Sequence, residues 1–252
     1  MSGRPAPTLA ESIAAAQDWW REAGVDLTYH DEPAGWLVDE APVAEPVVQE
    51  AATPVAAPRT PERLPAGGDR AGWPQDLAGF ARWWLEEPSL DGGGLHPRVA
   101  PRCVADAELL MLVTMPEADD SETLLSGPHG RLLASFALAA GLAPDTVALA
   151  AALPRHTVAP DWGGLAARGH GDVLLHLLAL ASPKRLIVLG RGILPLLRHD
   201  LPQGAPAVSQ LSIQDRAVPL LATYAPERLL ENARLRQGLW QRWLEWTDNA
   251  CD

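Results

Sequence analysis

From residue 105 onward the apolar positions fall into short solid runs separated by stretches of helical length. Residues 109–113 (LLMLV) are continuously apolar, as a parallel strand covered on both faces must be. Residues 130–141, bounded by two glycines, predict an apolar helix. VALAAAL at 147–153 predicts a second strand, 171–182 a helix, and RLIVLG at 185–190 the clearest strand in the chain. A short helix up to His199, a fourth strand at 218–223 (VPLLAT) and a terminal helix over 226–246 complete the pattern. Strand and helix in alternation predict an α/β domain over 99–247. It has three layers, α/β/α, around a central, mostly parallel four-stranded sheet. Ligands of such sheets bind beyond the carboxyl ends of the strands. The loops 114–130, 154–170, 190–192 and 223–227 are therefore where function is expected.

The first hundred residues read differently. Residues 8–23 predict a short helix, with Thr8 and Glu11 spaced as a capping box in which each satisfies the other's free backbone N–H. Its apolar positions include Ile13, Trp19 and Trp20, and 1–38 reads as a Trp-rich helical segment. Residues 39–72 hold six prolines, many alanines and no aromatic residue. Such a stretch buries too little apolar surface to offset its ordering entropy, which predicts a disordered, acidic Ala/Pro linker. A second short helix, expected over 75–87 and carrying Trp83 and Trp84, packs on the domain as part of 73–98; residues 248–252 form a tail.

Charge sharpens this division. The chain of 252 residues has a net charge of −12. Residues 1–100 carry 7 Arg/Lys against 16 Asp/Glu, whereas 101–246 carry 13 against 14. The acidity sits in the N-terminal region and the domain is almost neutral, which argues against a generic nucleic-acid binder. Two cysteines, Cys103 and Cys251, cannot build a four-thiolate metal or iron–sulfur site, so no metal or other cofactor is expected. No apolar run reaches the ~20 residues of a membrane span, and the first residues lack the layout of a signal peptide. A soluble, cytoplasmic protein without a membrane partner is the expectation.

The loops at the strand ends carry a resemblance. LMLVTMPEADD (110–120), Gly130-Arg-Leu-Leu133, ALAAALPRH (148–156), LIVLGR (186–191) and ATYAPERLLENARLRQGLW (222–240) follow one another in the order and spacing of the uracil-DNA glycosylase superfamily. They resemble most of all its bacterial and archaeal iron–sulfur branch, over residues 100–246. The resemblance implies the glycosylase fold and a base-excision site. Such a site takes a flipped nucleotide, and needs a group to orient water, an amide to read the uracil edge, an aromatic platform and a histidine to stabilise the departing anion.

Each of these positions departs from the pattern. The water-orienting acid corresponds to Thr114 or Met115, next to Pro116; the aromatic to Leu125; the uracil-reading amide to Ala151; the histidine to Ala225, between Tyr224 and Pro226. The cluster cysteines are absent. Losing one such donor costs ~10²–10³ in rate, so losing acid, amide and histidine together implies a degenerate site. Substitutes exist nearby. Glu117, Asp119 and Asp120 are acids after the first strand, His129 and His156 lie in the right loops, Gly127 belongs to the turn before the first helix, and Arg131, Arg155 and Arg191 are candidate phosphate contacts. Each is equally readable as loop, cap or surface.

Three readings of function follow. The chain is a glycosylase-like protein of DNA repair or replication without excision chemistry; or an active DNA glycosylase with substituted residues; or a non-catalytic replisome subunit. In the last reading it resembles the psi subunits of bacterial replicative polymerases, which share the glycosylase fold and are tethered by a short N-terminal segment. DNA is one expected partner, and a protein held by Trp19 and Trp20 is the other.

Overall fold

The structure, a computed structural model, describes residues 8–22, 65–199 and 208–248. Residues 23–64 and 249–252, with most of the expected linker and tail, lie outside the described residues. The chain divides into two compact units, Met1–Pro58 and Arg59–Asp252.

In the first unit, helix α1 spans Leu9–Glu22. The capping box forms: Thr8 donates from its backbone N–H and its hydroxyl to Glu11 Oε2 (2.7 and 2.8 Å), and Glu11 N–H donates to Thr8 Oγ1 (3.3 Å). Leu9, Ile13 and Trp19 are exposed, Trp19 at 60%. The Trp20 side chain is outside the described set.

The second unit is an α/β domain built on five strands rather than four. They are β1 (Leu109–Val113), β2 (Val147–Ala151), β3 (Leu186–Leu189), β4 (Val208–Ile213) and β5 (Arg216–Thr223), in the order β2-β1-β3-β5-β4. The first three and β5 are parallel, as expected, and β4 pairs antiparallel with β5. The strand missed by sequence reasoning is the edge strand. Its sequence, VSQLSI, alternates buried Leu211 and Ile213 with exposed polar residues, so it lacks the solid apolar run that marks the buried strands.

Helices cover both faces of the sheet. Alternate strand residues point to opposite sides. Leu110 and Leu112 join one core cluster, with Phe80 and Trp84 of α2 (Leu77–Glu86) and Leu174, Leu177 and Leu178 of α5 (His170–Ala181). Leu109, Met111 and Val113 join the other, with Leu133 of α3 (Pro128–Ala139) and Leu239 and Trp243 of α7 (Ala233–Asp248). Between β2 and α5 lies a short helix, α4 (Trp162–Ala167), capped by Asp161, which accepts from Gly164 N–H at 2.9 Å. The expected helix before His199 is a 3₁₀ segment, Arg191–Leu197. The terminal helix is two helices, α6 (Pro226–Glu231) and α7, broken where Asn232 turns extended and its Oδ1 accepts from Arg234 N–H.

The domain also begins earlier than its composition suggested. Residues 65–72, assigned above to the linker, lie on the domain. Ala66 is buried and its N–H donates to Arg168 O at 2.8 Å, while Gly67 N–H donates to Ser89 Oγ and its carbonyl accepts from Trp73 Nε1.

Candidate functional site

Because β1, β2, β3 and β5 are parallel, their carboxyl ends share one edge of the sheet. At its centre Gly190 follows β3 with φ +121°, in the region where only glycine is comfortable. A Cβ there would lie 2.6 Å from Thr114 Cγ2 and 3.8 Å from Ala225 Cβ. The glycine thus leaves room for the side chains of Thr114 and Ala225, which follow the two neighbouring strands β1 and β5 and pack against it. Between them these two positions present a hydroxyl and methyl groups. Tyr224 is exposed beside them, and Pro226 is buried as the first residue of α6.

The other expected positions are shared between core and loop. Ala151 and Leu125 are buried in the same core cluster, and Leu125 holds φ +57° at the loop's tightest point. Neither offers an amide or an aromatic face to the edge. Met115 is half-buried against the opposite cluster, and Pro116 is buried in the loop.

The acids after β1 serve the loop. Asp120 is only 2% exposed, and its carboxylate accepts four hydrogen bonds: Glu117 N–H and Leu125 N–H on Oδ2 (2.9 and 2.7 Å), Ser126 N–H and Ser126 hydroxyl on Oδ1 (2.8 and 2.7 Å). Burial pushes its carboxyl up, but the hydrogen bonds from Ser126, Leu125 and Glu117 outweigh burial and hold it below the ordinary carboxylate range. Glu117 caps α3. The helix begins at Gly127, which has no side chain to cap with, and Glu117 accepts from Gly127 N–H (2.9 Å) and His129 N–H (3.1 Å). His129 Nδ1 stands 3.6 Å from Glu117 Oε1. The structure thus brings Glu117, Gly127 and His129 together, with both oxygens of the acid engaged by the helix N-terminus.

A second group sits on the loops beside β2. Asp91 accepts from Arg98 (Nε 3.2 Å, Nη2 2.9 Å) and from Arg155 Nε at 2.7 Å. Burial raises the Asp91 carboxyl, and the two guanidinium groups and Gly93 N–H more than reverse it. Arg155 also donates to the carbonyls of Gly94 and His96 (3.1 and 2.9 Å), so this expected phosphate contact is turned into the protein. His156 Nδ1 meets Pro116 O at 3.1 Å and His96 Nδ1 meets Ala118 O at 3.0 Å, with the two ring planes at 74° and the centroids 4.9 Å apart. His170 is fully buried; its Nε2 meets Ala152 O at 2.6 Å and its Nδ1 has no partner among the described residues. Burial holds this imidazole below its ordinary value.

Sequence reasoning missed Asp91, His96, Arg98 and His170. The first three lie in the turn-rich stretch 91–98, before the regular pattern begins, and His170 opens a helix otherwise readable by its leucines. The Asp-Gly-Gly-Gly run at 91–94 was the available signal, since an Asp at a tight turn holds its own loop.

Three further cations stand on this edge. Arg131 in the first turn of α3, Arg191 directly after Gly190 and Arg228 in the first turn of α6 are exposed, and none has an ion-pair partner among the described residues. Asp119, Glu122 and Glu227 are exposed on the same loops.

No protein-family model matches the chain, and no curated protein matches it either.

Proposed function

We propose that the domain is a uracil-DNA glycosylase-like fold that has lost excision chemistry and serves DNA repair or replication as a non-catalytic, nucleic-acid-linked scaffold. The observation that carries this reading is that Thr114 and Ala225 flank Gly190 at the end of β3. The resemblance puts the water-orienting acid at Thr114 or Met115 and the anion-stabilising histidine at Ala225. The side chains there offer one hydroxyl and no imidazole or carboxylate. The nearest replacement acid, Glu117, already holds the N-terminus of α3 with both oxygens. A general base must reach its proton, and this one is tied to a structural task.

Contact with nucleic acid is supported by Arg131, Arg191 and Arg228, at the starts of three separate helical segments on one edge. Tyr224 beside them adds a ring on which a base can stack. The exposed acids nearby keep the affinity modest. Fluorescence anisotropy of a labelled single-stranded oligonucleotide tests this. Neutralising all three arginines to Gln should weaken binding at least ~10-fold and lower the salt slope by about 2, each phosphate contact contributing about 0.7 for single strands. An unchanged slope would place the contact surface elsewhere.

The rival reading, an active glycosylase using Glu117 and His129, draws on the 3.6 Å approach of the two groups. The tethered-subunit reading draws on α1, which presents Leu9, Ile13 and Trp19 outward in a unit separate from the domain. It is compatible with a silent site.

A further inference from the structure

The rings of His96 and His156 are held in the same way. Each Nδ1 lies within hydrogen-bond distance of a backbone carbonyl, Ala118 O for His96 and Pro116 O for His156. A carbonyl only accepts, so each Nδ1 carries a proton, and in the neutral ring the lone pair lies on Nε2, across the ring. Neither Nε2 has a hydrogen-bond partner among the described residues. The His96 backbone is fixed too, because its carbonyl accepts from Arg155 Nη1 at 2.9 Å. Arg155 and Arg98 spend their charge on Asp91 rather than on the rings.

This is the outer-shell arrangement that metal-binding imidazoles require: the far nitrogen donates to a carbonyl, which sets the tautomer, orients the ring and raises the basicity of the ligating nitrogen. The spacing agrees. With a Zn–N bond of about 2.1 Å and the ring centre about 1.1 Å behind the nitrogen, two imidazoles on one tetrahedral ion have centroids about 5 Å apart. The observed separation is 4.9 Å. A neutral imidazole lone pair does not suit an anion, which needs a donor.

We infer that His96 and His156 form a two-imidazole site for a divalent transition ion of the zinc class, bridging the 91–98 and 154–161 loops at the carboxyl edge of the sheet. Among the described residues no group of three or more His, Cys, Asp or Glu is placed to hold a metal. Among those residues the remaining coordination positions are left to water or to an oxygen of a bound molecule, and the ion exchanges readily. The site stands independently of the glycosylase reading.

Calorimetric titration of the tag-free full-length protein with zinc chloride tests it, with nickel chloride as a second probe. One equivalent should bind, and His96→Gln or His156→Gln should each weaken it at least ~10-fold, the smallest effect seen when even an outer-shell partner is lost. His129→Gln and His199→Gln should leave it unchanged, and near-ultraviolet circular dichroism should show every variant folded. Absent binding at 1:1, or binding that survives both substitutions in folded protein, would overturn the site. A readout without variants is the long-range ¹H–¹⁵N spectrum of the wild-type imidazoles. Both rings should be Nδ1–H tautomers whose Nε2 resonances move on adding zinc. An Nε2–H tautomer at either ring, or zinc shifts confined to other histidines, would equally overturn it.

Discussion

Single residues at the carboxyl edge show how little of this polar chemistry is free to react. Asp120 would suit a catalytic acid by its place after β1, yet it is buried with four hydrogen bonds closing the loop. Asp120→Ala leaves three backbone N–H groups without acceptors and should cost about 2–4 kcal/mol in a urea titration. The acid limb of the stability curve carries the same information. His170 is held below its ordinary value, so the unfolded chain takes the proton first, near ~6.5. Stability is complete above that pH and falls as pH drops below it. Asp91 and Asp120 are held below the ordinary carboxylate range, so their contribution is full above ~3.9 and is lost as pH falls from there through their lower folded values. Urea midpoints followed from pH 8 to pH 3 should fall in two stages, and His170→Gln should retain only the lower one. Cys103, half-buried with its thiol pushed up to about 12 by burial, should be slow to alkylate in the folded protein.

At the scale of elements, the sequence was legible where burial is complete on both faces. The runs at 109–113, 147–151 and 186–189 became β1, β2 and β3 because solid apolar segments have no solvated alternative. Legibility failed at the margins. The edge strand β4 is half polar, and its turn into β5 uses Gln214 at φ +52° rather than the Asn-Gly or Asp-Gly pair that marks a hairpin. Helix α4 carries two glycines and has too few turns to show a period. Residues 65–72 look like linker because a few buried groups, such as Ala66 and the Gly67 carbonyl, leave no trace in composition. The close approach of α3 to its preceding loop was equally invisible: a Cβ on Gly130 would overlap the Leu125 carbonyl oxygen. Gly130→Ala should therefore destabilise the domain by about 3 kcal/mol despite its better helix propensity. Trp84, buried with its Nε1 donating to Val99 O, fastens α2 to the sheet, and Trp84→Ala should cost about 3–5 kcal/mol. Chemical denaturation measures both.

For the whole molecule, the division of labour follows the division of charge. An acidic N-terminal region carries an amphipathic helix with exposed Trp19, and a nearly neutral α/β domain carries a strand-end edge with scattered arginines. The order of motifs along the sequence pointed to that edge, and the structure assembles Thr114, Gly190, Tyr224 and Ala225 there. The sequence could not show that Glu117 would be taken up as the cap of α3, because that depends on Gly127 beginning a helix ten residues later. The central proposal is the loss of excision chemistry. The direct measurement is base excision by the purified full-length protein on uracil-containing single- and double-stranded oligonucleotides, read as cleavage at abasic sites. The account predicts no cleavage above the protein-free control at high protein concentration, with the protein folded. Cleavage that disappears in Glu117→Ala or His129→Ala would contradict it, and would mean that the edge was rebuilt as a working site.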